Sequence, residues 1–268
     1  MIYFILMNTY QNEINFFHDI SSKVLEYIKT NANDIKIHKQ KGVGDYSTQI
    51  DIGVENLIVE EIKNRFPDDR VLAEEGSPDS EIADGRIWII DPICGTGNLA
   101  KGINNYCTNI ALADHGTLLA SCVVDHNRKE YFWSVGNNEI YINKQLYQAK
   151  DSSLSIKIDI DFGSVRVADQ QKRDRHNRCL RRLVEETDFD LLSLNTSLGF
   201  AYTAIGRVDG FINIHTNPWD VCAGVFLIQQ AGGVVTDIDG NPWKILSPDA
   251  VAGITPEIHK KLLSLYNA

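Results

Sequence analysis

The stretch Trp88-Ile89-Ile90-Asp91-Pro92-Ile93-Cys94-Gly95-Thr96-Gly97-Asn98 constrains this chain more than any other. An apolar run with the character of a strand passes without a break into an aspartate, a proline and a glycine-rich turn. The strand end holds the Asp91 carboxylate at a fixed point. The turn opens a helix, whose first N–H groups lack acceptors within the helix and so favour an anion. A metal-binding carboxylate beside an anion cradle points to phosphoryl chemistry.

At 268 residues the chain is long enough for one large domain or two fused lobes with a sizeable core. No segment is long and apolar enough to span a bilayer. The apolar N-terminus, Met1 to Met7, lacks a basic region and runs at once into Asn8-Thr9-Tyr10-Gln11, so it is a poor export signal. A cytoplasmic protein is expected, with Met7 as an alternative start. Five cysteines (Cys94, Cys107, Cys122, Cys179 and Cys222) with no C-x-x-C spacing fit reduced thiols better than a disulfide framework or a zinc knuckle. The formal net charge of −10 disfavours nucleic acid, whose phosphates require a basic surface. The one basic run, Lys172 through Arg182, reads as a solvated helix face.

No internal repeat appears, and the chain reads as one mixed α and β unit. Apolar side chains recur at helical spacing over Gln11 to Thr30 and Asp51 to Phe66. Strand signals follow at Val71–Ala73, Ile87–Ile90, Asn109–Ala113, Thr117–Val124, Glu130–Val135 and Glu139–Ile142. The short connections Asp114-His115-Gly116 and Gly136-Asn137-Asn138 make most of them antiparallel. The polar segment from Gln148 to Ser155 marks a boundary, dividing an N-terminal α+β lobe over 1–147 from a C-terminal α/β lobe over 148–268. In the second part, strands at Ser164–Ala168, Leu191–Leu194, Phe211–Ile214 and Val234–Asp237 alternate with helices. Asn217-Pro218 and Thr255-Pro256 are helix starts, and Gly232-Gly233 is a stop.

Three acidic features stand out: Glu74-Glu75-Gly76 after a strand, Asp91, and Asp220 in the first turn of the Asn217 helix. Taken singly, each has a structural explanation, since an exposed acidic loop and a first-turn aspartate are common. Together with Pro92, Gly95 and Thr96, however, they form an ordered set of motifs. These are Ala73-Glu74-Glu75, Trp88 to Asn98, Ala201-Tyr202 through Gly206-Arg207-Val208-Asp209-Gly210, and Trp219-Asp220 with Ala223-Gly224 and Ala231-Gly232-Gly233. In these motifs, over nearly its whole length, the chain resembles the inositol monophosphatase family of magnesium-dependent, lithium-sensitive phosphatases.

The resemblance implies a layered αβαβα sandwich, usually a homodimer, with a metal site between the lobes. By position, Glu74, Asp91 and the carbonyl of Ile93 are similar to ligands of a first Mg²⁺, and Asp220 helps hold a second ion that Asp91 bridges. Gly95 and Thr96 resemble the phosphate cradle, with the Thr96 hydroxyl helping Glu74 orient the attacking water. Asp51 matches an acidic residue that touches the metal-bound water network, although it also reads as a helix N-cap. The implied function is Mg²⁺-dependent hydrolysis of a small polyol or sugar phosphate by metal-activated water, with two or more ions per site.

The chain departs from the family pattern at three places. Cys94 stands where the family has an aspartate ligand of the second metal. A neutral thiol is a poor ligand for a hard cation and a thiolate favours a softer one, while the plain alternative is an inert, partly buried cysteine. Asn213, counting back from Asp220, lies near where inositol-preferring members carry a glutamate for a ring hydroxyl. Leu191 to Asn195 stands where many members show an arginine and then a glycine-serine pair. The alternative function is therefore a catalytically impaired relative that acts as a regulatory or protein-binding module.

Overall fold

Strand β4 (Arg86–Cys94) organises the molecule, because its side chains alternate between two different cores. The structure is a computed structural model describing residues 9–32, 35–42, 45–76, 82, 84–148, 155–163, 165 and 168–267. Trp88 and Ile90 face helices α1 (Gln11–Asn31) and α2 (Gln49–Arg65), whose Phe16, Phe17, Ile20 and Val24, and Ile50, Val54, Ile58 and Ile62, are fully buried at helical spacing. Ile87 and Ile89 face the opposite way, onto helices α5 (Leu198–Ala204) and α6 (Pro218–Gln230). Burying each such aliphatic contributes roughly 1.5–3 kcal/mol. A strand apolar on both faces must therefore lie between two helical layers.

The same alternation recurs further along the chain. In strands β12 (Gly210–Ile214) and β14 (Asp249–Gly253), Phe211, Ala250 and Ala252 join the core beneath α5 and α6. Ile212, Ile214 and Val251 face outward onto α4 (Gln170–Glu186) and α7 (Pro256–Asn267) through Cys179, Leu183, Leu262 and Leu265. Two sheets between three helical layers make the αβαβα sandwich. Gly224 permits the close crossing of the two central helices, since a Cβ there would fall 2.3 Å from Cβ of Phe200.

The seven-stranded sheet has the order β3-β4-β5-β6-β7-β8-β9. Its strands are β3 (Arg70–Ala73), β4, β5 (Cys107–Asp114), β6 (Thr117–Asp125), β7 (Glu130–Ser134), β8 (Tyr141–Ile142) and β9 (Gln145–Leu146). Only the β3–β4 pair is parallel. The hairpin expected at Asp114-His115-Gly116 is present, with φ of +46° at His115 and +75° at Gly116. The five-stranded sheet has the order β11-β10-β12-β14-β13, with β10 (Lys157–Ile160), β11 (Asp190–Leu192) and β13 (Val234–Thr236). A separate hairpin pairs β1 (Ile37–Gly42) with β2 (Asp45–Thr48).

Some expectations need correction or lie beyond view. Of the strand expected at Ser164–Ala168, Ser164, Arg166 and Val167 lie outside the described residues, and this region contributes β10 instead. Asp159 on one face of β10 masks the apolar Ile158 and Ile160 on the other. Strand β14 went unread because two of its five residues are alanines, which carry little strand signal. Residues 149–154 of the expected lobe boundary, and Met1 to Met7, also lie outside the described residues. The basic run forms α4, with Lys172, Arg175 and Arg182 paired to Asp249, Asp239 and Glu186. Among the described residues, no helix is long and apolar enough to cross a membrane.

Candidate metal and phosphate site

Strand register gathers the carboxylates. Ala73 pairs with Ile90 in the parallel ladder, which brings Glu74, one residue beyond β3, alongside Asp91. The Glu74 N–H still donates to the Ile90 carbonyl at 3.2 Å. Further along β4, Asp91 pairs with Asn109 and Cys94 with Cys107, so the strand bulges between them. Pro92, which has no N–H to give to a ladder, sits in that bulge. In a regular strand, residues three apart point to opposite faces, and the bulge re-aims Asp91 and Cys94 toward one site. Asp220 arrives from the first turn of α6. The ligand atoms of Asp91, Cys94 and Asp220 lie within 4.8 Å of one another.

Three carboxyl groups crowd together here, and Lys41 pairs with Glu74 alone among them. Asp91 is 1% exposed, and neither carboxylate oxygen has a hydrogen-bond partner. Burial holds its proton affinity well above the usual carboxylate range, reinforced by Cys94, Glu74 and Asp220. Asp220 is pushed up to about 7 by burial and then by Glu74. Glu74 is raised by burial, against the pull of the Lys41 ammonium 2.8 Å away. The buried, unpartnered oxygens of Asp91 fit a bound divalent cation, which would also relieve the repulsion from Glu74 and Asp220. The oxygen donors suit Mg²⁺; the sulfur of Cys94 does not.

The turn after β4 supplies the second half of the site. Gly95 has φ +99° and caps α3 (Thr96–Ala100); a Cβ there would fall 3.1 Å from the Asn105 carbonyl oxygen. The Thr96 hydroxyl donates to Oδ1 of Asp51 at 2.7 Å, with the Ile93 carbonyl at 3.0 Å as its other acceptor. Oδ2 of Asp51 accepts the Thr48 N–H at 2.9 Å. The N-cap of α2 is thus Thr48, and Asp51 is its partner at the third helical position. Asp51 is fully buried and meets the site through Thr96. Burial raises its pKa.

Cys94 is held by its surroundings. Its Sγ accepts the Ser197 N–H at 3.1 Å, and the neighbouring Cys107 thiol, followed by burial, raises its pKa well above the usual thiol range. Asn213 on β12 is nearly buried, with Nδ2 donating to Asp161 at 3.3 Å and Oδ1 without a partner. The backbone N–H of Leu194 donates to Asp159 at 3.0 Å, and its carbonyl accepts from the Asn98 side chain at 3.3 Å. Sequence reading missed Lys41, Asp161 and Asn109. Lys41 and Asp161 carried no signal beyond their charge. Asn109 did carry one, as a polar side chain inside an apolar strand, and its Nδ2 donates to Ser197 Oγ at 2.6 Å.

A five-layer sandwich with carboxylates at a bulged strand end and a capped glycine turn beside them matches a known family. Residues 10–268 match the model of the inositol monophosphatase family, and the chain belongs to it. It is 30% identical over 237 residues to a Thermotoga maritima fructose-1,6-bisphosphatase/inositol-1-monophosphatase, covering 86% of each chain. It is 31% identical over 231 residues to the Escherichia coli Nus factor SuhB, covering 84% of each. A solved Thermotoga maritima IMPase superimposes with a TM-score of 0.82 at 25% identity, over 95% of this chain and 96% of that one.

Proposed function

We propose that the protein is a divalent-metal-dependent phosphomonoesterase acting on a small polyol or sugar phosphate. The observation that carries this reading is Asp91, buried with both oxygens unpartnered beside Glu74 and Asp220. Glu74, Asp91 and the Ile93 carbonyl are the proposed ligands of one Mg²⁺, and Asp91 and Asp220 of a second. When bound, the ions neutralise phosphate charge and make water more acidic.

The chain's own residues do the rest. With its proton directed to Asp51, the Thr96 hydroxyl has lone pairs free to accept from a water, so the Thr48–Asp51–Thr96 chain holds it as an acceptor. Glu74 offers a second acceptor to the same water, its proton affinity brought up by burial. Gly95, without a Cβ, lets the backbone approach the phosphate. Asp220 and Asn213 are the proposed substrate contacts. The names of the Thermotoga maritima relative and of the Bacillus subtilis inositol-1-monophosphatase, 28% identical over 234 residues, support the reaction class. The resemblance also implies a homodimer, which sedimentation velocity would test.

The test is phosphate release from a panel of small phosphomonoesters, titrated with Mg²⁺, Mn²⁺ and Zn²⁺, with Asp91→Asn as control. Metal-dependent turnover that disappears in the control supports the proposal. A second reading, a regulatory or protein-binding module, is favoured by Cys94 and by relatives named Nus factor SuhB. Silence of the panel with every metal would favour it.

A further inference from the structure

We infer that Asp91, Cys94 and Asp220 form a mixed oxygen–sulfur site that takes a thiophilic divalent ion, of the Zn²⁺ or Co²⁺ class, in preference to Mg²⁺. The inference rests on the proposed metal site and states which ion its second position holds.

The donor set is the first argument. One ligand atom from each residue lies within 4.8 Å of the others, with two carboxylates and one sulfur converging. Mg²⁺ demands near-ideal octahedral oxygen coordination, whereas Zn²⁺ accepts thiolate at about 2.3 Å and carboxylate oxygen at about 2.0–2.2 Å. Three protein ligands with a fourth position open is the arrangement of catalytic zinc sites.

Asp91 points to a bound ion without the cysteine. Asp91 is nearly inaccessible and neither of its oxygens has a hydrogen-bond partner, so a buried carboxyl group is aimed into the cluster with no donor to meet it. The environment of the sulfur is a further argument. The Ser197 N–H donates to Sγ from 3.1 Å, an outer hydrogen bond of the kind that orients a ligand sulfur and tunes a metal–sulfur bond. Asn109 fixes that segment, because its side chain donates to Ser197 Oγ at 2.6 Å and lies opposite Asp91 in the ladder.

Cys107 is not among the converging ligand atoms. It is buried beside Cys94, opposite it in the β4–β5 ladder, with Sγ 3.4 Å from the hydroxyls of both Thr196 and Ser197. Loading the site converts the Cys94 S–H and the incoming aquo-ion into a metal–thiolate bond and one proton released to solvent, with no change of oxidation state. Glu74, Asp91 and the Ile93 carbonyl remain an all-oxygen set for Mg²⁺. One site then holds two unlike ions that share Asp91.

The test is spectroscopic. The full-length protein is stripped with EDTA, kept reduced and titrated with Co²⁺ in excess Mg²⁺, while near-ultraviolet absorption is followed for thiolate-to-cobalt charge transfer. A band that saturates at one Co²⁺ per chain is expected. It should be lost in Cys94→Ser and Cys94→Asp and kept in Cys107→Ser. Cys94→Asp should in addition bind Mg²⁺ more tightly than wild type by calorimetry, which separates ligand exchange from misfolding. Absence of a band, displacement of Co²⁺ by equimolar Mg²⁺, or a band that survives Cys94→Ser would overturn the inference. Mg²⁺-dependent phosphate release lost in Asp91→Asn is read separately, so the phosphatase proposal can stand while this one fails.

Discussion

Helices α2 and α6 begin with the same device and use it for different ends. Each carries an aspartate at its third position that accepts the N–H of the capping residue, Asp51 from Thr48 at 2.9 Å and Asp220 from Asn217 at 2.8 Å. At α2 the remaining oxygen receives the Thr96 hydroxyl, and the carboxylate is satisfied on both sides. At α6 the aspartate lies against Asp91 and Cys94, two groups that cannot stabilise its charge. One local motif gives a positioning residue where neighbours donate and a candidate metal ligand where they repel.

The contrast can be broken by experiment, and the largest effect belongs to the repelling cluster. Asp91→Asn should lower metal-dependent phosphate release by roughly a thousandfold or more, equivalent to about 4 kcal/mol of barrier. In EDTA the same variant should melt no lower than wild type, because Asp91 has no hydrogen-bond partner to lose and the amide ends its repulsion with Glu74 and Asp220. A melting temperature well below wild type would mean that Asp91 is a structural residue.

Asp51→Asn probes the satisfied end. The new amide presents a donor to Thr96 and turns its hydroxyl around, so kcat should fall about 10–100-fold with KM little changed. Thr96→Ser should keep most activity and Thr96→Val should not. An equal loss in Asp51→Asn and Asp51→Ala, matched by a loss of melting temperature, would reduce Asp51 to a cap.

A third effect depends on pH. Burial pushes Asp159 up to about 7, with Asp161 adding to the shift, so the folded protein holds a proton there that the unfolded chain releases near 4. This contribution to stability is complete below about 4 and is lost as pH rises toward 7. Asp159→Asn keeps an acceptor for the Leu194 N–H. It should match wild type at pH 4 and melt several degrees higher at pH 8. The smallest effect is that of Thr48→Ala, which should cost about 1 kcal/mol by denaturant unfolding. The Ile50 N–H loses its acceptor at 3.1 Å in that variant.

Much of the site was legible before the fold. Asp91, Gly95 and Thr96 announce themselves because a strand, a proline and a left-handed glycine must occur in that order, and those are local backbone constraints. Glu74 and Asp220 were legible only as members of a spaced set. Lys41 and Asp161 were not legible, because a charged side chain on a hairpin or a strand end carries no local mark of what it will face.

The sequence by itself determined the elements that alternate cleanly. Trp88 and Ile90 against Ile87 and Ile89, and the spaced apolar residues of α1 and α2, follow from periodicity, since burial rewards one pattern only. The bulge was decided by the tertiary structure: Pro92 permits it, but only pairing with Asn109 and Cys107 sets Asp91 and Cys94 on one side. The same holds for the difference between Asp51 and Asp220. Electrostatic character is a property of what surrounds a group, and those surroundings come from strands and helices distant in the chain.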